Sequence, residues 1–397
     1  MTDATTPDTS GLNSWIEISD SAYATNLDFF RGLVGDTVEL SAVVKSNAYG
    51  HGLREIADLA IRHGADSFCV HGLEEALELR EAGFEQDILV MGHVPLARVV
   101  AAVDHDLRVV LYSLESARRL AEVATEDRPA RVHLKIETGT HRQGVDGDEL
   151  GMILEYLKSA STVRVEGVYT HFANIEDTTD HRYARTQVAR FRKALQQIEE
   201  AGFRPDKRHA ACSAAVALFP ETHLEMVRLG ISQYGIWSSK ETRVSFHNLH
   251  PIAGPETAAQ ADGPLRPVMT WKARISQVKW IPADAFVGYG CTHQTTRRTR
   301  LAVLPTGYAD GYDRKLSNTG HVLVHGRRAP VLGRICMNLT MIDVTDIPDV
   351  RVEDEVVLLG RQGEKEITAE QMASVVGTIP YEIVARIAPH IPRIVVD

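Results

Sequence analysis

The strongest constraint on the fold is an alternation that repeats between residues 40 and about 230. Short apolar runs of strand length are each followed by a segment with helical periodicity. The runs are ELSAVVK (39–45), SFCVHG (67–72), DILVMG (87–92), LRVVLYS (107–113), RVHLKIETG (131–139), RVEGVYTHF (164–172), KRHAACS (207–213) and LEMVRLG (224–230). Parallel strands need long crossover connections, which helices usually supply. About eight such units are the number that closes a parallel barrel.

The segments between the runs have one apolar face. In GLREIADLAIRHG the apolar residues on that face are Leu53, Ile56, Ala57, Ala60 and Ile61. A helix of this kind packs its apolar face on a sheet and exposes the other face to water. The sequence therefore predicts an α/β fold that begins with an N-terminal (β/α)8 TIM-type barrel.

The pattern changes after residue 238. Residues 238–266 are rich in Pro, Gly and small polar residues and lack periodicity, which predicts a linker. Short β-type runs such as VMTWKARISQVKWI and HVLVHGRRAPVLGRICM follow, with one helical segment near TAEQMASVV. These predict a C-terminal, mainly antiparallel β domain. The predicted segments are a disordered leader (1–12), the barrel domain (13–240), a linker (241–265) and the β domain (266–397).

Composition and charge exclude several classes of protein. The 397 residues carry a net charge of −10, and lysine and arginine form no basic stripe, so a nucleic-acid partner is not expected. No run approaches the roughly 20 apolar residues of a membrane span, and the polar N-terminus lacks the features of a signal peptide. The cysteines and histidines show no metal-ligand spacing. We expect a cytoplasmic protein without a metal site or a membrane contact.

Polar residues with chemical potential lie at or just beyond the ends of the apolar runs. In a parallel barrel, functional groups lie at the carboxyl ends of the strands. The residues at those positions are Lys45, His71, Lys135, Arg142, His171, Ser213 and Arg228. A single polar residue at a strand end is usually a loop hydrogen-bonder, but repetition over most strands favours a shared site at the barrel mouth.

A lysine at the end of a buried strand indicates carbonyl chemistry. Desolvation lowers the pKa of an amine, which makes Lys45 a competent nucleophile that can form an imine. Tyr49, the Ser213 hydroxyl and the Gly230–Ile231 backbone could hold a phosphate at the same mouth. These residues alone leave two alternatives open, a pyridoxal phosphate enzyme and a sugar-phosphate or other carbonyl lyase with a Schiff-base lysine.

Longer motifs carry a resemblance to a known family. AVVKSNAYGHG (42–52) is similar to the cofactor-lysine signature of the alanine racemase family, and other segments match in order over residues 14–393. They are HLKIETGTHRQGV, VYTHFAN, CSAA, MVRLGISQYG, VGYGCTH, PTGYADGYDR and GRICMNLTMIDVTD. The resemblance implies a pyridoxal 5'-phosphate enzyme that interconverts L- and D-alanine and supplies D-alanine for peptidoglycan. It also implies a homodimer whose active sites are shared between subunits.

The resemblance also implies roles for individual residues. Lys45 would carry the cofactor and act as one of two proton-transfer bases, and Tyr289 of the partner subunit would be the other. Arg228 would face the pyridine nitrogen of the cofactor. His171 would bridge between that region and the catalytic tyrosine.

Further residues correspond to cofactor and substrate ligands of the family. The phosphate ligands would be Tyr49, Ser213, Gly230 and Ile231. Arg142 and, from the second subunit, the backbone N–H of Met337 would hold the substrate carboxylate, and Lys135, which is carbamylated in many members, would steady Arg142. The residues that fall at positions lining the substrate channel are Tyr308, Arg314, Arg334 and Glu176.

Two positions depart from the family pattern. Pro389 stands where members commonly carry a phosphate-contacting tyrosine, for which Tyr381 or a water could compensate, and Asn338 stands where an aspartate is common. A racemase of serine or of broad specificity is therefore an alternative. A decarboxylase of the same architecture is disfavoured, because such enzymes place an acid, not an arginine such as Arg228, at the pyridine nitrogen. A non-catalytic carrier built from a lone barrel would not need the β domain.

Overall fold

The apolar runs form eight parallel strands of one sheet. A computed structural model describes residues 8–250 and 263–397 of the chain. In chain order, the first strands are β1 (Ser14–Ser19), β2 (Glu39–Val43), β3 (Ser67–Val70), β4 (Ile88–Val90), β5 (Arg108–Leu111), β6 (Ala130–Lys135), β7 (Val163–Tyr169), β8 (Lys207–His209) and β9 (Met226–Leu229). All of these except β1 belong to the parallel sheet, in the order β8-β7-β6-β5-β4-β3-β2-β9.

The two outer strands of this sheet meet at two backbone hydrogen bonds. The Arg228 N–H donates to the Ala211 carbonyl at 3.0 Å, and the Glu225 N–H donates to the Arg208 carbonyl at 3.2 Å. These bonds bring β8 and β9 together, so the sheet is a nearly closed barrel. The predicted α/β barrel is confirmed.

Helices connect the strands and cover the barrel. They are α1 (Asp20–Val34), α2 (Lys45–Tyr49), α3 (Leu53–Arg62), α4 (Leu73–Glu81), α5 (Val99–Asp104), α6 (Leu114–Val123), α7 (Gly147–Leu157), α8 (Arg182–Glu200), α9 (Ser213–Leu218) and α10 (Lys240–Leu249). In α7 the buried residues are Leu150, Ile153, Leu154 and Leu157. This spacing is that of an apolar stripe on one helix face.

Charged side chains close the end of the barrel at which the strands begin. This floor cluster consists of Glu39, Asp87, Arg108, Arg131 and Glu166. The Glu166 carboxylate accepts from Arg108 Nε at 3.0 Å and from Arg131 Nε at 2.8 Å. Because Arg108 is buried, the surrounding carboxylates compensate a charge that would otherwise be expensive to desolvate.

The short helix α2 is left-handed. Its residues from Ser46 to Tyr49 have φ angles between 50° and 56°, although none of them is glycine. L-residues rarely adopt this conformation, and then usually singly. The turn begins at Lys45, directly beyond the end of β2 and Val44.

The chain divides into two compact units. The barrel unit comprises Ala24–Ser46 and Ile56–Arg266, and the β unit comprises residues up to Tyr23, Asn47–Glu55 and Pro267–Asp397. The further elements of the β unit are β10 (Met269–Arg274), β11 (Gln277–Ile281), β12 (Thr299–Leu304), β13 (His321–Val324), β14 (Arg327–Pro330), β15 (Thr340–Asp343), β16 (Glu355–Gln362), β17 (Lys365–Ile367), α11 (Ala369–Val376), α12 (Pro380–Ala385) and β18 (Arg393–Val396).

The β unit contains two sheets. One has the order β14-β13-β16-β10-β1-β18, with β17 paired to β16, and the other has the order β11-β12-β15. The pairs are antiparallel except for β1 with β18. The prediction of a mainly antiparallel C-terminal domain is confirmed.

The segment boundaries differ in places from those expected. Residues 1–7 of the expected leader and 251–262 of the expected linker lie outside the described residues. Residues 8–12 of the expected leader are described, and Arg274 donates hydrogen bonds to Thr9. The strand β1, expected in the barrel domain, pairs instead with β10 and β18. The expected linker begins with a regular helix, α10, which the Ser239 hydroxyl caps by accepting from the Thr242 N–H.

Among residues 8–250 and 263–397, no helix combines the length and apolar character that crossing a membrane requires.

Candidate active site

Lys45 lies at the carboxyl end of β2, as the sequence predicted. Burial lowers the pKa of its amine, and the guanidinium of Arg142 lowers it further, while Glu75 and Glu176 oppose this effect. A larger fraction of the amine is therefore neutral near pH 7 than in an exposed lysine. A neutral amine is the form that attacks a carbonyl carbon.

Arg228 lies on β9 inside the barrel and is buried. Its guanidinium donates to His209 Nδ1 at 2.5 Å, to the Thr170 carbonyl at 2.9 Å and to the Ala210 carbonyl at 3.2 Å. Burial lowers the pKa of Arg228, yet an arginine remains a donor only. Since a guanidinium has five N–H groups, these three bonds leave donors available for a ligand.

An aromatic side chain on strand β7 supports Arg228. The Arg228 guanidinium carbon lies 5.0 Å from the centre of the Tyr169 ring, which stacks on His209 at 4.7 Å with an angle of 10° between the planes. Nothing in the local sequence pattern singles out His209 or Tyr169. Their strand positions identify them only as interior residues, and the barrel closure brings them to Arg228.

Lys135 lies at the carboxyl end of β6. Its amine donates to Gln143 Oε1 at 2.8 Å and lies 5.6 Å from the centre of the Tyr169 ring. Burial, followed by the charges of Arg142 and Arg228, lowers its pKa to about 8. Among the described residues, no hydrogen bond joins Lys135 to Arg142. The two cations repel each other, so this arrangement gives no direct support to the prediction that Lys135 steadies Arg142.

The loop that carries Arg142 is organised by one carboxylate. Glu137 accepts from the backbone N–H groups of Gly139 at 2.5 Å, Thr140 at 2.6 Å and Arg142 at 3.3 Å. Burial alone would raise the pKa of Glu137, but these hydrogen bonds lower it. The Arg142 side chain itself is exposed.

Helix α8 braces the loops after β6 and β7. Gln187 donates to the His171 carbonyl and to Thr138 Oγ1, both at 3.1 Å, and accepts from the Ala173 N–H at 2.9 Å. Tyr183 donates to the Gly139 carbonyl at 2.9 Å, and Arg190 donates to the Thr138 carbonyl at 2.8 Å. Sequence reasoning missed these bracing side chains. The signal available in the sequence was a glutamine at helical spacing from both a tyrosine and an arginine.

His171 follows β7 at the same end of the barrel. Its imidazole is partly exposed. The surroundings hold its pKa well below the ordinary range, first through desolvation and then through the charges of Arg228, Arg142, Lys135 and Lys45. The neutral imidazole can accept a proton at one nitrogen while donating at the other.

Ser213 and Gly230 lie side by side after β8 and β9. The Ser213 hydroxyl oxygen accepts from the Gly230 N–H at 2.8 Å and from the Ser232 N–H at 3.4 Å. Because this oxygen accepts twice, its own O–H remains available to donate to an anion. The Gly230 N–H, predicted as a phosphate donor with that of Ile231, is already engaged by Ser213.

The remaining predicted residues belong to the β unit. The buried Tyr49 ring lies 6.0 Å from that of Tyr381. Tyr289 is 73% exposed and stands between two glycines with positive φ angles. Tyr308 and Met337 are 42% and 57% exposed, and their loops are joined by the Tyr308 N–H to the Cys336 carbonyl at 3.0 Å.

Comparison with known proteins confirms the resemblance to the alanine racemase family. The model of the alanine racemase N-terminal domain matches residues 18–238, and that of the alanine racemase C-terminal domain matches residues 268–395. The chain belongs to the alanine racemase family. Members of this family are amino-acid isomerases, so the predicted class of enzyme is confirmed. Curated alanine racemases extend the match over almost the whole chain.

An alanine racemase from Leptospira interrogans is 41% identical over 388 residues, 97% of this chain and 96% of that protein. One from Symbiobacterium thermophilum is 42% identical over 381 residues, 96% of each chain. The alanine racemase structure from Bacillus anthracis with bound L-Ala-P has a TM-score of 0.88 at 32% identity, covering 97% of this chain and 95% of that one. That from the D-cycloserine producer Streptomyces lavendulae has a TM-score of 0.86 at 34% identity, covering 99% and 98%.

Proposed function

We propose that the protein interconverts L-alanine and D-alanine with pyridoxal 5'-phosphate bound at Lys45. The observation that carries this proposal is the pair of a desolvated amine at Lys45 and a buried, donor-only guanidinium at Arg228. Both lie at the carboxyl ends of barrel strands, next to His171. When bound, the cofactor supplies an electron-withdrawing ring that makes the α-proton of an attached amino acid acidic.

The residues present fit this cofactor. The Ser213 hydroxyl can donate to the phosphate, as can the Ile231 backbone, and Tyr49 follows Lys45 by one turn of α2. Arg228 would donate to the pyridine nitrogen of the bound cofactor, and because it cannot accept a proton back, that nitrogen would remain unprotonated. A weaker electron sink limits side reactions such as transamination. An arginine at this nitrogen therefore favours racemisation over decarboxylation, because decarboxylases of this architecture place an acid there.

Inversion of a stereocentre needs one proton-transfer group on each face of the substrate. We infer that Lys45 serves one face and that Tyr289 of the partner subunit serves the other. Tyr289 is 73% exposed in the single chain, and a tyrosine would need to be desolvated and close to positive charge to act as a base. A second copy of the chain covering Tyr289 is consistent with both requirements, which supports an active homodimer.

The substrate carboxylate would meet a positive site. The charge of Arg142 reaches Lys45, Lys135 and His171, as its effect on their pKa values indicates. We infer that Arg142 and the N–H of Met337 from the partner bind this carboxylate and that Tyr308 lines the approach. All four cysteines are free thiols, which is consistent with a cytoplasmic location. We infer that the D-alanine formed there supplies peptidoglycan synthesis.

A racemase of serine or of broader specificity is the second candidate. Pro389 supplies no hydroxyl at the position where many members have a tyrosine. The neighbouring His390 is held by Asp310, with 3.1 Å between its Nε2 and Oδ1. Tyr381 packs near Tyr49 and could take over the phosphate contact.

The substrate is tested by incubating the protein and cofactor with L-alanine, L-serine or L-lysine in D₂O. NMR follows exchange of the α-proton, and chiral analysis follows the product. We expect exchange with inversion, fastest for alanine. Faster inversion of serine or lysine would support the second candidate, and no exchange with any substrate would refute the proposal.

Complementation tests the shared site. Lys45→Ala and Tyr289→Phe homodimers are each expected to be inactive, with the cofactor absorbance retained in Tyr289→Phe. A refolded equal mixture should recover about a quarter of the wild-type activity, because half of the dimers are mixed and each has one intact site. If both groups acted within one chain, the mixture would stay inactive. Tyr156→Phe, on α7, is the matched control for loss of a tyrosine hydroxyl.

A further inference from the structure

Two histidines extend inward from Arg228 through the interior of the barrel. Arg228 Nη1 lies 2.5 Å from His209 Nδ1, and His209 Nε2 lies 2.8 Å from His133 Nδ1. All three side chains are buried, and both imidazoles are fully inaccessible. Neither histidine was among the residues expected from the sequence to act in the site.

The direction of each hydrogen bond in this chain is fixed by Arg228. A guanidinium can only donate, so His209 Nδ1 must accept. A neutral His209 then carries its proton on Nε2 and donates it to His133 Nδ1. His133 must consequently carry its own proton on Nε2, which is buried and has no hydrogen-bond partner among the described residues.

Both imidazoles are held neutral, as this scheme requires. Desolvation lowers their pKa values well below the ordinary range. The charges of Arg108, Arg131, Arg228 and Lys207 add to the effect at His133, and that of Arg228 adds to it at His209. Protonating His209 would turn Nδ1 into a donor facing the donor of Arg228.

The barrel also leaves space specifically for the His133 ring. His133 faces Gly167 on β7, and the register of β6 with β7 shifts between Val132 and His133. A Cβ at residue 167 would lie 2.4 Å from His133 Nδ1 and 2.5 Å from its Cε1. Gly167 does not have a positive φ, so the glycine is required for room and not for conformation. A glycine inside a strand is otherwise unfavourable and often marks a close approach.

We propose that His133 is a positioning residue for the active site: by accepting from His209 Nε2–H, it stabilises the tautomer of His209 that Arg228 requires and thereby the orientation of the Arg228 guanidinium. This inference rests on the proposed function, in which Arg228 faces the cofactor ring. Without an acceptor at His133, the Nε2–H of His209 would be an unpaired buried donor. That cost falls on the one tautomer of His209 that can accept from Arg228, so the hydrogen bond that orients the guanidinium would be weakened.

The tautomer can be measured directly in the wild-type apoprotein. Long-range ¹⁵N–¹H correlation on ¹⁵N-histidine-labelled protein distinguishes protonated from unprotonated ring nitrogens, and the His209 signals are assigned from their loss in His209→Asn. We expect His209 protonated at Nε2 and unprotonated at Nδ1. A proton on Nδ1 would overturn the proposal. This measurement needs neither substrate turnover nor a variant at His133, so it decides the tautomer even if the wild type fails to racemise alanine.

A matched pair of variants tests the consequence for Arg228. His133→Asn keeps an acceptor near the position of Nδ1, whereas His133→Leu has a similar volume and no acceptor. We expect His133→Asn to retain the His209 tautomer and kcat within about threefold of wild type, and His133→Leu to lose about tenfold more in kcat with little change in KM. Equal kcat and equal His209 spectra in the two variants would refute the positioning role.

Discussion

Lys135→Met is expected to stabilise the protein near neutral pH. Lys135 has a pKa lowered from 10.5 to about 8 by burial and by the charges of Arg142 and Arg228. Its charged form is therefore less stable in the folded state than in the unfolded chain. Methionine has a similar length and no charge, so the substitution removes this penalty while leaving the space filled.

The magnitude follows from the shift. A pKa lowered from 10.5 to about 8 corresponds to a destabilisation of about 3 kcal/mol at a pH where the lysine is charged in both states. Between the two pKa values the unfolded chain binds more protons than the folded one, so wild-type stability from this group rises with pH. About 1 kcal/mol of the penalty remains at pH 9.5, and the advantage of Lys135→Met over wild type should shrink by about 2 kcal/mol between pH 7 and pH 9.5.

Urea unfolding of the apoprotein measures this change at a fixed protein concentration and in buffer depleted of carbon dioxide. Taking the difference between variant and wild type at each pH cancels the other titrating groups. Lys158→Met, which replaces an exposed lysine at the end of α7, is the control and should show no such trend. A pH-independent difference for Lys135→Met would show that Lys135 is not a desolvated cation and would refute the reasoning.

Three further outcomes are expected. In bicarbonate buffer, intact-mass measurement should detect addition of one carbon dioxide that Lys135→Met lacks, because a lowered pKa leaves more neutral amine to react; equal masses would contradict this. Glu166→Gln should reduce the free energy of unfolding by about 2–4 kcal/mol, whereas Asp106→Asn, at an exposed ion pair, should cost below about 1 kcal/mol. Similar losses would refute the view that burial strengthens the ion pairs of the floor cluster. Gln187→Ala should lower kcat about tenfold by loosening the loops it braces, and Gln196→Ala, on the outer face of α8, should not; unchanged activity in both would remove that role.

The barrel could be predicted because its information is local. Each strand is an apolar run next to an amphipathic segment, and the polar residues that end the runs converge once the strands are parallel. The strand β1 could not be placed in this way. Its partner Ala273 lies more than 250 residues from Ser14, and no local pattern records such a pairing.

Sequence reasoning proposed site residues from charged side chains at strand ends, and it did not find the side chains that support them from inside the barrel. Lys45 and Arg228 stand out as charges beside apolar runs. His133 and His209 look like ordinary interior residues of short strands, and their link depends on barrel closure and on the space at Gly167. The departure at α10 has a different cause, because the Pro and Gly content downstream obscured a helix with a serine cap.

The left-handed turn at α2 makes an unusual demand on side-chain chirality. Each L-residue in this conformation is disfavoured by roughly 1–2 kcal/mol relative to a right-handed one, yet Ser46 through Tyr49 all adopt it. A D-residue would adopt this conformation without that energetic cost. Chemical ligation of a segment with D-alanine at position 48 should therefore give a protein at least as stable as the natural one. A racemase acts on both enantiomers of its substrate, and at this turn its own backbone should tolerate a D-residue in place of an L-residue.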